Sequence, residues 1–177
     1  MPEEINRVIV DHISSVHFTP TDLATKNLVR EGIDHSSIHQ TGDVMYDAAL
    51  FFGGQSDGEA LQVADLISDK KPFALATIHR QENTEGAKKL ENIIKCLEEI
   101  AEGMPVVWPV HPRIRGKVRT RKLRLIEPCG YIEMQNLIRK SKIVLTDSGG
   151  LQKEAFFHRV PCITLRGETE WVELVDS

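Results

Sequence analysis

Five short apolar runs bounded by turn residues constrain this chain most: FALATIHR (73–80), PVVWPVHP (105–112), LRLIEP (123–128), IVLTDS (143–148) and PCITLRG (161–167). Amphipathic stretches separate most of them, and parallel strands need such crossovers, with helices covering both faces. In GAKKLENIIKCLEEIAEG (86–103), Leu90, Ile93, Ile94, Leu97 and Ile100 recur at helical spacing and mark one apolar face. YIEMQNLIRKS (131–141) and GLQKEAFFHR (150–159) are expected as further helices. The expected class is α/β, a Rossmann-like parallel sheet with helices on both faces.

Upstream, PTDLATKNLVREGID (20–34) predicts a helix capped by Thr19 or Thr21 and stopped by Gly32. SIHQTG (37–42) predicts a short strand, DVMYDAALFF (43–52) a helix, GGQSDGE (53–59) a loop and ALQVADLIS (60–68) another helix. The connection between VHP and LRLIEP is short for a full helix.

A chain of 177 residues can bury one good core. Its formal net charge of -4 lacks the basic excess that nucleic-acid binding usually needs. The basic run RIRGKVRTRKLR (113–124) reads more economically as a solvated face than as a polyanion site. Cys96, Cys129 and Cys162 are odd in number and far apart, so they form neither a disulfide framework nor a CxxC site. No apolar run is long enough to span a bilayer, and MPEEINR is too acidic for a signal peptide, so a cytoplasmic location is expected.

Ligands of open parallel sheets bind at the carboxyl ends of the strands. Those ends carry His79, Arg80, Glu82 and Asn83, then His111, then TDSGG (146–150), then RGETE (166–170). In TDSGG, two glycines expose backbone at the start of a helix whose first N–H groups are unpaired, which is a seat for phosphate. Ser148 adds a hydroxyl to Gly149 and Gly150, and Glu154 can accept hydrogen bonds from sugar hydroxyls. The rival readings are a tight turn without ligand for Gly-Gly and a satisfied surface or core group for each strand-end histidine. Trp108 and Trp171 are expected in packing, and Glu168, Glu170 and Glu173 on a solvated face. No His or Asp stands at metal-ligand spacing beside those glutamates. The residues alone predict an α/β protein that binds a phosphorylated small molecule.

The motifs IHRQEN, PVHP, TDSGGLQKEA and PCITLRGETEWVE, in this order and spacing, resemble the non-hydrolysing UDP-N-acetylglucosamine 2-epimerases. The opening MPEEINRVIVDHISSVHFTPTDLATKNLVREGI and TGDVMYDA are similar to that family's passage from the domain junction into its carboxyl-terminal domain. The resemblance implies the carboxyl-terminal half of a two-domain GT-B fold, with residues 1–14 from the junction and 15–177 as the UDP-binding domain. It implies diphosphate on Ser148, Gly149 and Gly150, ribose on Glu154, uracil near Pro128 to Tyr131, and His79 and Arg166 beside the phosphates. Glu3 matches a catalytic carboxylate. Arg80, Glu82 and His111 match positions that hold an activating second UDP-sugar in bacterial members. The implied reaction inverts C2 of UDP-N-acetylglucosamine by eliminating and re-adding UDP, with no metal or other cofactor, and the full-length family implies a homodimer.

The chain departs from the family where its amino-terminal domain, with an Asp and a further Glu, should precede MPEEINR, and it stops at VELVDS. A truncated or split form, inactive alone, is therefore expected. Asp43 replaces a common Asn, and GETEWVE replaces the commoner TERPE, a form similar to the branch acting on diacetamido UDP-sugars. The alternatives are a non-catalytic UDP-binding module, half of a split enzyme, a diacetamido-sugar epimerase, and a GT-B glycosyltransferase donor domain.

Overall fold

A computed structural model describes residues 2–53 and 71–167. The expected helix 60–68, most of the loop 53–59, Trp171 and the glutamates 168, 170 and 173 lie outside the described residues. The chain divides into two compact units, residues 1–47 and 48–177.

The first unit begins with helix α1 (Pro2–Ile13), then strand β1 (His17–Thr19), helix α2 (Asp22–Arg30), a 3-10 turn (His35–Ser37) and strand β2 (Ile38–Gln40), which pairs parallel to β1. Arg7 joins α1 to α2 by bonding Glu4, Asp11 and Glu31 at 2.6, 2.7 and 2.8 Å. Thr21, one of the two expected caps, accepts from Ala24 N, and the helix stops as expected at Gly32. There φ is +93°, Gly32 N bonds Val29 O, and Ile33 N bonds Leu28 O. That is a Schellman ending, whose left-handed residue favours glycine. Asp43 Oδ1 accepts from Met45 N at 2.9 Å, an acceptor role that the amide oxygen of Asn can also fill. Helix α3 (Val44–Gly53) continues from there and takes Gly53 from the expected loop.

The second unit contains a five-stranded parallel sheet in the order β5-β4-β3-β6-β7. Its strands are β3 (Ala74–Thr77), β4 (Val106–Pro109), β5 (Arg124–Ile126), β6 (Ile143–Thr146) and β7 (Cys162–Thr164), each inside an expected run. Helices α4 (Gln81–Thr84), α5 (Ala87–Gly103), α6 (Pro112–Arg115), α7 (Tyr131–Lys140) and α8 (Gly149–Phe157) connect them. The β4 to β5 crossover has only the four residues of α6, in keeping with its short sequence.

Strand alternation splits the core in two. Ala74, Ala76, Val106, Trp108 and Leu145 face Leu90, Ile94 and Leu97 of α5, while Leu75, Val107 and Val144 face Leu137 and Ile138 of α7 and Leu151 and Ala155 of α8. Helices therefore cover both faces, and Trp108 is fully buried packing as expected. The basic run is largely exposed; Arg115 pairs with Glu127, and Lys122 with Glu102.

Candidate functional site

β3 and β6 are neighbours although β4 and β5 lie between them in sequence. Their outgoing connections run to opposite faces of the sheet, so a crevice opens at their carboxyl ends. Thr77 and Thr146 end the two strands in register, and their hydroxyls bond at 2.6 Å. Thr146 Oγ1 also accepts from Ser148 N at 3.0 Å, which holds the turn into α8.

Ser148 caps α8, its hydroxyl accepting from Leu151 N at 3.4 Å. Gly149 and Gly150 form the first positions of the helix, where N–H groups lack intrahelical acceptors and the dipole favours negative charge. Among the described residues a Cβ on Gly150 would meet only Ser148 Oγ, at 3.9 Å, and the backbone there is not left-handed. Neither packing among the described residues nor conformation demands glycine at position 150, and the backbone there is open to approach.

A cavity of about 200 Å³ lies at these strand ends, lined by Thr77, His79, His111, Pro128, Ser148 and Leu151 among others. His111 caps α6 by accepting from Arg113 N on Nδ1 at 3.2 Å. An accepting Nδ1 carries no proton, so Nε2–H is the donor of that neutral ring. His79 stands across the crevice with half its side chain exposed, its Nδ1 3.4 Å from Asp147 Oδ1. Desolvation and the Glu133 carboxylate push the Cys129 thiol, which also lines the cavity, up to about 12, so it stays protonated. A larger cavity of about 600 Å³, lined by Leu90, Ile94, Lys95, Glu98, Lys117 and Arg119 among others, runs along α5 from its first turn, shares no lining residue with the smaller one and mixes both charges.

Beside the smaller cavity, α7 presents Tyr131 and Gln135 one turn apart, and α8 presents Glu154 and His158 likewise. Six residues of helix put Glu154 about 9 Å beyond Ser148 along the axis. Glu154 is buried, and loss of water raises its pKa, opposed by Gln135 and Tyr131. Among the described residues Gln135 Nε2 makes no well-aligned bond, so its pull on the carboxylate is weak beside desolvation. Gln135 Oε1 lies 2.7 Å from His158 Nε2, which donates to it. Burial, then the Arg139 charge, lowers the His158 pKa. Gly53 backs this pair: a Cβ there would come within 2.9 Å of His158 Cε1. Phe52 meets Tyr131 edge-on at 5.7 Å.

The structure thus gathers His79, His111, Pro128 and Ser148 around one cavity, with Gly149 and Gly150 on the helix that Ser148 caps and Tyr131 beside Glu154. Arg80 caps α4 and Glu82 is exposed within it. Arg166 follows β7, half-buried. Glu3 lies on α1 in the first unit, and its side chain is outside the described residues. Sequence reasoning gave no role to Asp147, Gln135 or His158. The only available signals were an acid just before the Ser-Gly-Gly turn and the repeat of Tyr131 with Gln135 at helical spacing.

Among the described residues, no group of three or more His, Cys, Asp or Glu side chains is placed to hold a metal ion, and no helix is long and apolar enough to cross a membrane.

Known proteins resemble this chain over nearly all of its length. A UDP-N-acetylglucosamine 2-epimerase homolog of Methanococcus maripaludis is 47% identical over 99% of this chain and 51% of its own length. The UDP-2,3-diacetamido-2,3-dideoxy-D-glucuronate 2-epimerase of Pseudomonas aeruginosa is 46% identical over 99% of this chain and 50% of its own. The crystal structure of Methanocaldococcus jannaschii UDP-GlcNAc 2-epimerase in complex with UDP-GlcNAc and UDP superposes with a TM-score of 0.86 at 39% identity, covering 99% of this chain and 52% of that one. The chain therefore spans about half the length of the relatives it matches. The sequence profile described as UDP-N-acetylglucosamine 2-epimerase matches residues 1–177, and the chain belongs to that family.

Proposed function

We propose that this chain is the UDP-binding part of a UDP-sugar 2-epimerase, with residues 1–14 forming a domain junction and 15–177 the nucleotide domain. The observation that carries the reading is the meeting of the Ser148-capped start of α8 with His79 and His111 around one cavity at the β3–β6 crevice. A diphosphate takes the N–H groups of Gly149 and Gly150 and the Ser148 hydroxyl. Glu154 then receives the ribose diol, and the Pro128–Tyr131 turn meets the base.

In the proposed reaction a base removes the C2 proton while the C1–O bond breaks and its electron pair leaves with UDP. Returning UDP to C1 and a proton to the other face of C2 gives the epimer. The growing charge on the departing diphosphate falls on the α8 N-terminus, His79 and Arg166. Glu3 is assigned a proton transfer at the sugar, and Arg80, Glu82 and His111 a second UDP-sugar acting as activator. The complete enzyme works as a cytoplasmic homodimer.

A second reading, a UDP-diacetamido-glucuronate 2-epimerase, is favoured by the Pseudomonas aeruginosa relative. Both readings require UDP on this chain. Calorimetric titration with UDP of the native chain, Ser148→Ala and Glu154→Ala tests that requirement: binding weakened in both variants is expected, and a folded native chain that binds no UDP contradicts it. Turnover of each sugar nucleotide by the complete enzyme then separates the two substrates.

A further inference from the structure

Asp147 puts a negative charge immediately before the phosphate seat, where it should oppose a diphosphate. Its side chain is fully buried and turns instead to the segment leaving β3. There its oxygens accept from His79 N at 3.1 and 3.2 Å, Arg80 N at 3.0 Å and Asn83 Nδ2 at 2.9 Å. Asn83 Nδ2 also donates to Leu165 O at 3.0 Å, so the latch extends to the segment after β7. Hydrogen bonds to an ionised acceptor are stronger than neutral ones and hold geometry tightly.

The same carboxylate lies 3.4 Å from His79 Nδ1. An ionised carboxylate only accepts, so at that ion-pair distance, which is not a closed hydrogen bond, a lone pair on Nδ1 would meet like charge, whereas a proton on Nδ1 is favoured electrostatically. We propose that Asp147 is a positioning residue for His79, keeping the proton on Nδ1 and leaving Nε2 as the nitrogen offered to the cavity. The role of that nitrogen toward a diphosphate rests on the UDP reading above. The tautomer itself does not.

Two measurements test the proposal. Long-range proton–nitrogen NMR of the native chain, with the His79 ring assigned by its loss in His79→Gln, is expected to show the Nδ1–H form as the major neutral tautomer. A dominant Nε2–H form overturns the proposal whether or not UDP binds. The second is a double-mutant cycle on UDP affinity. Asp147→Asn is expected to weaken binding about tenfold when His79 is present and less than about twofold in His79→Gln. Equal losses in both backgrounds mean that Asp147 supports only the backbone, which also overturns it. A native chain that binds no UDP sinks the functional reading alone, because the tautomer remains measurable, as it does if Asp147→Asn fails to fold.

Discussion

Thr77 Oγ1 and Thr146 Oγ1, from residues 69 positions apart in sequence, stand 2.6 Å apart, buried, at the carboxyl ends of two neighbouring strands. This bond closes the floor of the crevice, and Thr146 uses the same oxygen to accept from Ser148 N. Thr146→Val keeps the branched shape and removes only the hydroxyl. It should cost about 1–3 kcal/mol through the unpaired groups it leaves. Urea unfolding midpoints measure this, with Thr146→Ser expected to recover part of the loss.

Gly150→Ala should separate stability from binding. The added methyl meets nothing closer than 3.9 Å, and the helical backbone accepts alanine, so folding should gain about 0.5 kcal/mol. UDP affinity should fall on the order of tenfold, because the methyl occupies the approach to the N–H groups. Thermal unfolding and calorimetry on one preparation read both effects.

Arg159 holds φ at +57° at the end of α8, where Arg159 N bonds Phe156 O and Val160 N bonds Ala155 O. This is the same ending as at Gly32, made with a residue that disfavours it. Arg159→Gly should therefore stabilise the chain by about 1 kcal/mol in urea unfolding. Arg159→Ala, which keeps a Cβ, should gain much less.

Glu154 gives a pH signature. Its pKa is raised above the ordinary 4.5 mainly by burial. Between those two values the folded chain holds a proton that the unfolded chain has released. Stability is therefore fully present below 4.5 and falls as pH rises through the window up to the folded pKa. Glu154→Gln lacks this penalty, so its stability relative to the native chain should rise as pH climbs above 4.5 and level off once pH has passed the folded pKa of Glu154. Paired denaturation curves across that range measure the difference.

The five strands of the second unit and helices α2, α5, α7 and α8 were legible because each residue's neighbours in sequence decide them: the spacing of Leu90, Ile94 and Leu97 already marks the buried face of α5, whereas α1 and β1 were not foreseen. The Ser148-capped, glycine-led start of α8 was legible for the same reason, since Ser148 to Gly150 is local. Asp147 was not, because its partners His79, Arg80 and Asn83 lie 64 to 68 residues away and meet it only once β3 and β6 are neighbours. His158 and Gln135 likewise meet only through the packing of α7 on α8. Gly53 read as a loop residue from its neighbours, while its closeness to the His158 ring is a tertiary fact.

If the start of α8 receives a diphosphate, as proposed, amide proton–nitrogen NMR during titration with UDP registers it residue by residue. The expected result is that the largest shifts fall on Ser148, Gly149 and Gly150, extend to His79 and Glu154, and leave Lys95, Lys117 and Arg119 of the larger cavity unchanged. Saturable shifts confined to that larger cavity, or none in a folded chain, would contradict it.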